Sequence, residues 1–183
     1  DAGQVGDEPL MLTRFHDLRV VVAKDRAAGA RYIEENELGS IVILDDGFQH
    51  RRLFRNLDIV CVDVSTDEAV RRFIEGSLLP AGRFRESRNP ALRRAQAVVL
   101  SARQPEALAV ALPAELLELI PAHIKVFRSY VRPLGVYKIS DGTEMTERQA
   151  GAFCSIANPQ GFFQTLTAMN FKLTVAEAFP DHF

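Results

Sequence analysis

The chain is 183 residues long, 47% hydrophobic and 25% charged, and its 22 Lys and Arg against 24 Asp and Glu leave a formal net charge of -2. That length suffices to bury a substantial core in one domain, or in one domain and part of another. No run of about 18 apolar residues is present, which excludes a membrane-spanning helix, and neither an internal repeat nor a low-complexity tract interrupts the sequence.

Strand and helix signals alternate through the first two-thirds. Val20, Val21 and Val22 mark a strand over Arg19–Ala23, and Asp25–Leu38 reads as a helix closed by Gly39 in the usual C-terminal role. Ile41–Leu44 and Asp58–Asp63 are the next expected strands. Ser65 and Glu68 have capping-box spacing ahead of an apolar helical stripe at Val70, Phe73 and Ile74. Another helix is expected where Asn89 caps and Pro90 takes the first helical position. Ala97–Leu100 and Ile124–Arg128 read as strands, and between them a helix over Pro105–Ile120 breaks near Pro113. This alternation predicts an α/β fold with a mostly parallel sheet covered by helices.

After Tyr130 the pattern changes. Val131–Ile139 and Glu144–Met145 flank Ser140-Asp141-Gly142-Thr143, and Asp-Gly is a strong hairpin signal. Thr146 with Gln149 opens a helix, and Asn158-Pro159 opens another with apolar positions at Phe162, Phe163, Leu166 and Met169. The expected division is a core domain over 1–128, a hairpin linker over 129–149 and the start of a second, smaller domain over 150–183. Cys61 and Cys154 sit in apolar runs without C-x-x-C spacing and read as buried free thiols in a reducing compartment.

The strongest chemical signal is Ile41-Val42-Ile43-Leu44-Asp45-Asp46-Gly47-Phe48-Gln49-His50. Four apolar residues giving way to two carboxylates suggest a strand that ends at a site, because open α/β sheets bind ligands beyond the carboxyl ends of their strands. A hard dication takes oxygen ligands and bridges to phosphates, which makes Asp45 and Asp46 candidate Mg²⁺ residues. The bland alternative is that the pair opens a polar turn at Gly47.

The string DDGFQHRRLFRNLDIVCVD, from Asp45 to Asp63, closely resembles the signature of the tetraacyldisaccharide 4'-kinases of lipid A synthesis. Other stretches resemble the same family in the same order. They are Gly6-Asp7-Glu8-Pro9, Leu79-Pro80-Ala81-Gly82-Arg83-Phe84-Arg85-Glu86, Ala152-Phe153-Cys154-Ser155-Ile156-Ala157-Asn158-Pro159 and Phe179-Pro180-Asp181-His182. Arg83, Phe84 and Ser87 depart from that pattern, which usually has Pro, Leu and Pro there. The resemblance implies a P-loop-kinase-like core with helices on both faces and a smaller α/β domain after it. It also implies ATP and Mg²⁺ as cofactors, and transfer of the γ-phosphate to the 4'-hydroxyl of a tetraacyldisaccharide 1-phosphate. A lipid A disaccharide precursor would be the partner molecule, and the place of work the cytoplasmic face of the bacterial inner membrane. In the family, a Gly-rich loop ending in Gly-Lys-Thr lies upstream of the Gly-Asp-Glu-Pro stretch. No G-x-x-x-x-G-K-[ST] occurs in these residues, so the chain is expected to be a piece of a longer reading frame, with its first part elsewhere, and inactive alone.

Carried over residue by residue, the resemblance makes Asp7 the general base toward the acceptor hydroxyl and His182 the group that orients or tunes it. A carboxylate paired with an imidazole suits proton removal near neutral pH. Glu8, beside Asp7, is a candidate for holding metal or the acceptor, with starting a helix at Pro9 as its alternative. Gln49 and His50 are candidates for positioning nucleotide phosphate, although His50 could equally cap its loop. Arg85 offers a bidentate fork for phosphate, and Glu86 beside it is a candidate for the acceptor.

Ten arginines against six acids between Arg51 and Arg94 give that stretch a local charge of about +4. Such a stretch would attract an anionic glycolipid or a membrane surface. Aromatic residues there are too sparse for base stacking, so nucleic acid is not expected as a partner. Two alternatives from other classes are a free-standing metal-dependent phosphohydrolase built on Asp45 and Asp46, and a non-catalytic α/β binding module.

Overall fold

Residues 6–109 and 111–180 are described by the structure, a computed structural model, together with the backbone alone of Asp7. The first helix, α1 (Asp7–Leu12), starts at Gly6, whose φ of 89° lies in the left-handed region that glycine enters without steric cost. Helix α2 (Arg26–Glu35) begins as the sequence suggests, with the Asp25 carboxylate accepting from the Ala27 and Ala28 amides. Its end differs from expectation. Glu37, not Gly39, adopts the left-handed conformation at φ 50°. The Leu38 amide donates to Ile33 carbonyl at 3.0 Å and the Glu37 amide to Glu34 carbonyl at 3.1 Å. This is the Schellman pairing, which satisfies two otherwise orphaned carbonyls.

Strand β1 (Ile59–Asp63) leads to α3 (Asp67–Glu75), whose cap is Thr66, because its hydroxyl accepts from the Ala69 amide at 3.1 Å. Ser65, the expected cap, instead accepts from the Arg103 amide. Helix α4 (Arg88–Leu92) starts after Ser87, which puts Pro90 at the third helical position, where a missing amide still costs no helical bond. Strand β2 (Ala97–Ala102) follows. The anticipated break divides the next helical stretch into α5 (Pro105–Ala109) and α6 (Ala114–Glu118), with Pro113 as the cap of α6. Strand β3 (Lys125–Tyr130) completes a three-stranded sheet in the order β1-β2-β3.

The sheet is parallel. Gln96 amide donates to Asp58 carbonyl and Val64 amide to Ser101 carbonyl, while Lys125 amide reaches Gln96 carbonyl and Val131 amide Ala102 carbonyl, so all three strands advance together. In the middle position, β2 buries Ala97, Val98, Leu100 and Ala102, as a strand covered on both faces requires. The chain is an α/β protein, as its alternation of signals implied.

The Asp-Gly turn forms as expected. Tyr137 and Glu144 make an antiparallel bridge, Gly142 takes φ 70°, and the Asp141 carboxylate accepts from the Thr143 amide at 2.9 Å and hydroxyl at 2.6 Å. The helix anticipated at Thr146 and Gln149 is instead strand β4 (Gln149–Cys154). A capping box commits only two residues, whereas the following Gln-Ala-Gly-Ala-Phe-Cys places small residues beside a partner strand. Helix α7 (Pro159–Ala168) is capped by Asn158, whose side-chain oxygen accepts from the Gly161 amide at 3.0 Å. Strand β5 (Lys172–Ala178) pairs in parallel with β4 from Gln149 opposite Lys172 to Cys154 opposite Ala178, which makes β4-α7-β5 a βαβ unit.

Two expected strands are absent. Neither residues 19–23 nor 41–44 form a ladder with any described residue, and Ile41 and Ile43 are 83% and 85% exposed. Apolar β-branched residues favour a strand, but only a paired neighbour makes one. The free thiols differ from expectation as well, since Cys61 is exposed and Cys154 half-buried. On β1 only Val62 of the five residues is buried, so Cys61 faces the other way along the pleat.

Two compact units share the chain. One comprises Asp1–Val60, Gly76–Val98 and Pro121–Lys125, and the other Cys61–Glu75, Val99–Ile120 and Val126–Phe183. The first buries Leu92, Ala95, Val98 and Ile124. In the second, α3 packs on α6, where Val70, Phe73 and Leu116 are buried.

Candidate active site

Asp45 and Asp46 occupy a turn rather than the end of a ladder, and both are exposed. Asp46 takes φ 48°, a left-handed conformation that Asp tolerates better than most residues. Gly47 follows and is buried, because the Leu44 side chain occupies the place a Cβ would take there. Gly47 carbonyl then accepts from the His50 amide at 2.9 Å, closing the turn.

Arg55 fastens the rest of the segment from inside. Its guanidinium pairs with the Asp58 carboxylate through Nε at 2.6 Å and Nη2 at 3.2 Å. The same guanidinium donates to the carbonyls of His50, Leu53 and Phe48. Five contacts from one planar fork hold the backbone between Phe48 and Asp58 to the start of β1.

A second loop, ahead of α4, grips this turn with alternating charge. Arg85 Nη1 lies 2.7 Å from Asp46 Oδ2, and the neighbouring Glu86 accepts from Gln49 Nε2 at 3.2 Å and Arg51 Nη2 at 2.9 Å. Glu86 also takes a parallel fork from Arg94, with both nitrogen–oxygen distances 2.8 Å. Arg94 lies with its guanidinium carbon 4.5 Å from the Phe48 ring centroid, a cation–π contact in the middle of the turn. The Glu86 carboxyl is pushed down to about 2, chiefly by the Arg94 hydrogen bonds and further by Gln49 and Arg51, against an opposing burial effect. In return Glu86 raises the already high pKa of Arg94.

The two charge pairs differ in kind. Arg85 and Asp46 have side chains 57% and 63% exposed, so water competes with them and either can exchange partners. Glu86 is 17% and Arg94 27% exposed, and their bidentate pair is a fixed joint. His50 sits in the same turn with Nε2 buried and unpartnered in the structure.

The structure therefore brings together Asp45, Asp46, Gln49, His50, Arg85 and Glu86. Glu8 lies exposed on α1, and Asp7 opens that helix with a side chain outside the described residues. His182 also lies outside them. Residue-by-residue reading of the sequence passed over Arg55, Phe48 and Arg94. No local signal singles out Arg94, since Arg93 stands between the same apolar Leu92 and Ala95.

No three Asp, Glu, His or Cys side chains among the described residues converge as a metal cage. The donor set here fits a dication that takes one or two protein carboxylates and completes its shell with phosphate oxygens and water, the habit of Mg²⁺. Asp45 supplies a carboxylate with no arginine on it among the described residues, and Asp46 keeps one oxygen clear of Arg85.

A family model described as Tetraacyldisaccharide-1-P 4'-kinase matches residues 1–183. Among curated proteins, a Tetraacyldisaccharide 4'-kinase of Syntrophotalea carbinolica is 37% identical over 100% of this chain and 48% of its own length. Proteins of the same description from Desulfotalea psychrophila and Chlorobaculum parvum are 35% and 36% identical over 99% and 97% of this chain, and over 51% and 48% of their own lengths. The chain thus spans about half the length of the curated relatives it matches. No solved structure matches it significantly.

Proposed function

Because this chain belongs to the tetraacyldisaccharide 4'-kinase family, we propose that it forms part of a lipid kinase moving the γ-phosphate of ATP to the 4'-hydroxyl of a tetraacyldisaccharide 1-phosphate. The observation that carries this reading is the family match over residues 1–183, seated on a turn whose two carboxylates adjoin an arginine. Phosphoryl transfer asks little covalent work of a protein, so these residues act by positioning and by charge.

In this reading Asp45 and Asp46 would hold Mg²⁺, Asp45 through a carboxylate with no arginine on it among the described residues and Asp46 through the oxygen that Arg85 leaves clear. An ion held there would supply charge neutralisation on the nucleotide phosphates. Arg85 is free to pass from Asp46 to a phosphate, since an exposed pair costs little to open. Gln49 and His50 line the phosphate side. Asp7 takes the proton from the acceptor hydroxyl, and His182 orients it. Glu8 serves the acceptor by contact, and Glu86 serves it by fixing Gln49 and Arg51, as its own oxygens are already bonded.

The ATP-phosphate loop comes from outside these residues, among which no G-x-x-x-x-G-K-[ST] occurs, so the chain alone is expected to transfer no phosphate. The whole protein works at the cytoplasmic face of the inner membrane, where the arginine-rich stretch adds attraction to anionic lipid.

The test uses the full-length protein with labelled ATP, Mg²⁺ and a tetraacyldisaccharide 1-phosphate. Labelled 4'-phosphorylated lipid should form, and chelation should stop it. Asp7→Asn should lower turnover by about 100-fold or more, as loss of a general base does, with a smaller effect on the KM for ATP. Phosphate release from ATP without lipid product would instead favour a hydrolase, and unchanged turnover in Asp7→Asn would remove it as the base.

A further inference from the structure

We infer that Arg94 is the positioning residue that sets the metal-bearing turn, an inference that rests on the kinase reading for its consequence but on the geometry for its content. Arg94 touches both halves of the site from behind. Its two terminal nitrogens hold Glu86 in the loop ahead of α4, and its flat face holds Phe48 inside the turn. Glu86 in turn holds Gln49 and Arg51, and the adjacent Arg85 holds Asp46. Glu86 and its neighbour Arg85 thus join the two loops, and Arg94 anchors both Glu86 and the centre of the turn.

Arg94 is itself mounted on rigid structure. Leu92 and Ala95, on either side of it, are buried. Its carbonyl accepts from Gln96 Nε2 at 2.7 Å, and Gln96 Oε1 accepts from the Asp58 amide at 2.8 Å. Asp58 holds Arg55, the other post of the turn. The chain of contacts runs from the starts of β1 and β2 through Arg55 and Arg94 to the turn and to Glu86, and neither of these two arginines is bonded to Asp45 or Asp46 in the contacts above. Side chains that orient a metal-bearing residue commonly change metal affinity or activity by about 10–100-fold when removed.

Lysine cannot replace Arg94. It keeps the charge but loses the parallel fork and the flat face that stacks on Phe48, so it leaves Glu86 paired at one point and the ring uncovered. Two readouts in the full-length protein test the assignment. Amide hydrogen exchange over 45–51 should speed up by about tenfold or more in Arg94→Lys, while the amides of Ala97–Ala102 keep their protection, which separates loosening of the turn from unfolding. Turnover with ATP and the lipid acceptor should fall about 10–100-fold, with the half-saturating Mg²⁺ concentration raised. Glu86→Gln should show the same Mg²⁺ shift, and the double variant should add little to either single one.

Exchange over 45–51 and Mg²⁺ saturation both within about twofold of wild type would overturn the inference. Uniformly faster exchange, reaching Ala97–Ala102 as well, would also overturn it by making Arg94 a general stability residue. If the turn loosens as expected but wild type itself transfers no phosphate to lipid, the positioning role stands and the kinase reading falls.

Discussion

At the scale of single residues, the decisive feature is that one carboxylate, Glu86, is wrapped by three donors while its neighbours Asp45 and Asp46 stay exposed. Glu86 titrates at about 2 when folded, against an ordinary value of 4.5. A depressed folded pKa means that the unfolded chain binds the proton more readily. The resulting stabilisation is complete above about 4.5 and is lost as pH falls toward about 2. Denaturant titrations across that window should show a stability slope that flattens in Glu86→Gln, and an unchanged slope would mean that other carboxylates dominate acid unfolding. Of the residues gathered at the turn, Asp45 and Asp46 were named from sequence because paired acids after an apolar run suit a dication, and Gln49 and Arg85 because they fall in motifs that resemble the family's. Arg94 was not, since nothing within its own neighbourhood says which acid, among those far along the chain, will neutralise it.

At the scale of elements, some caps and breaks were readable from local signals, while those expected at Ser65, Asn89 and Thr146 did not form. Asp25 caps α2 and Asn158 caps α7 through hydrogen bonds that span two or three residues. Pro113 separates α5 from α6 because it can donate no amide. The end of α2 went otherwise, with Glu37 in the left-handed position that Gly39 was expected to serve. Holding a residue with a Cβ there costs about 1 kcal/mol, offset only in part by the greater freedom glycine has when unfolded. Glu37→Gly should therefore stabilise the protein by about 0.5–1 kcal/mol in denaturant unfolding, an unusual sign for a substitution to glycine. Loss of stability would show that the Glu37 side chain makes a compensating contact.

At the scale of the whole molecule, charge is less available than composition suggests. Of the ten arginines between Arg51 and Arg94, at least six are paired with acids, at Glu86, Asp58, Glu75, Glu68 and Asp46. A stretch with a sequence charge of about +4 thus spends much of it internally. Binding of the full-length protein to vesicles containing anionic lipid is expected to weaken when salt is raised from about 0.05 to 0.5 M, as screening shortens to a few ångströms. Charge reversal at Arg52 and Arg93 together should weaken it further, while insensitivity to salt and to both changes would assign membrane contact to apolar insertion elsewhere.

Sequence by itself determined the α/β class, the approximate places of β1, β2 and β3, the Asp-Gly turn, the helix starts at Asp25, Pro105 and Asn158, and the family. Each of these rests on apolar periodicity, on a cap or turn made within a few residues, or on motifs in fixed order. Only the tertiary structure decided that residues 41–44 form no strand and that Gln149–Cys154 forms one. A ladder needs a partner, and β4 finds its own in β5 across an intervening helix. Tertiary structure alone also joined Asp46 to Arg85, 39 residues away, and Glu86 to Gln49, 37 residues away. Opposite charges are interchangeable along a chain with 22 bases and 24 acids, and only folding, by fixing which of them come within reach, selects the pairs.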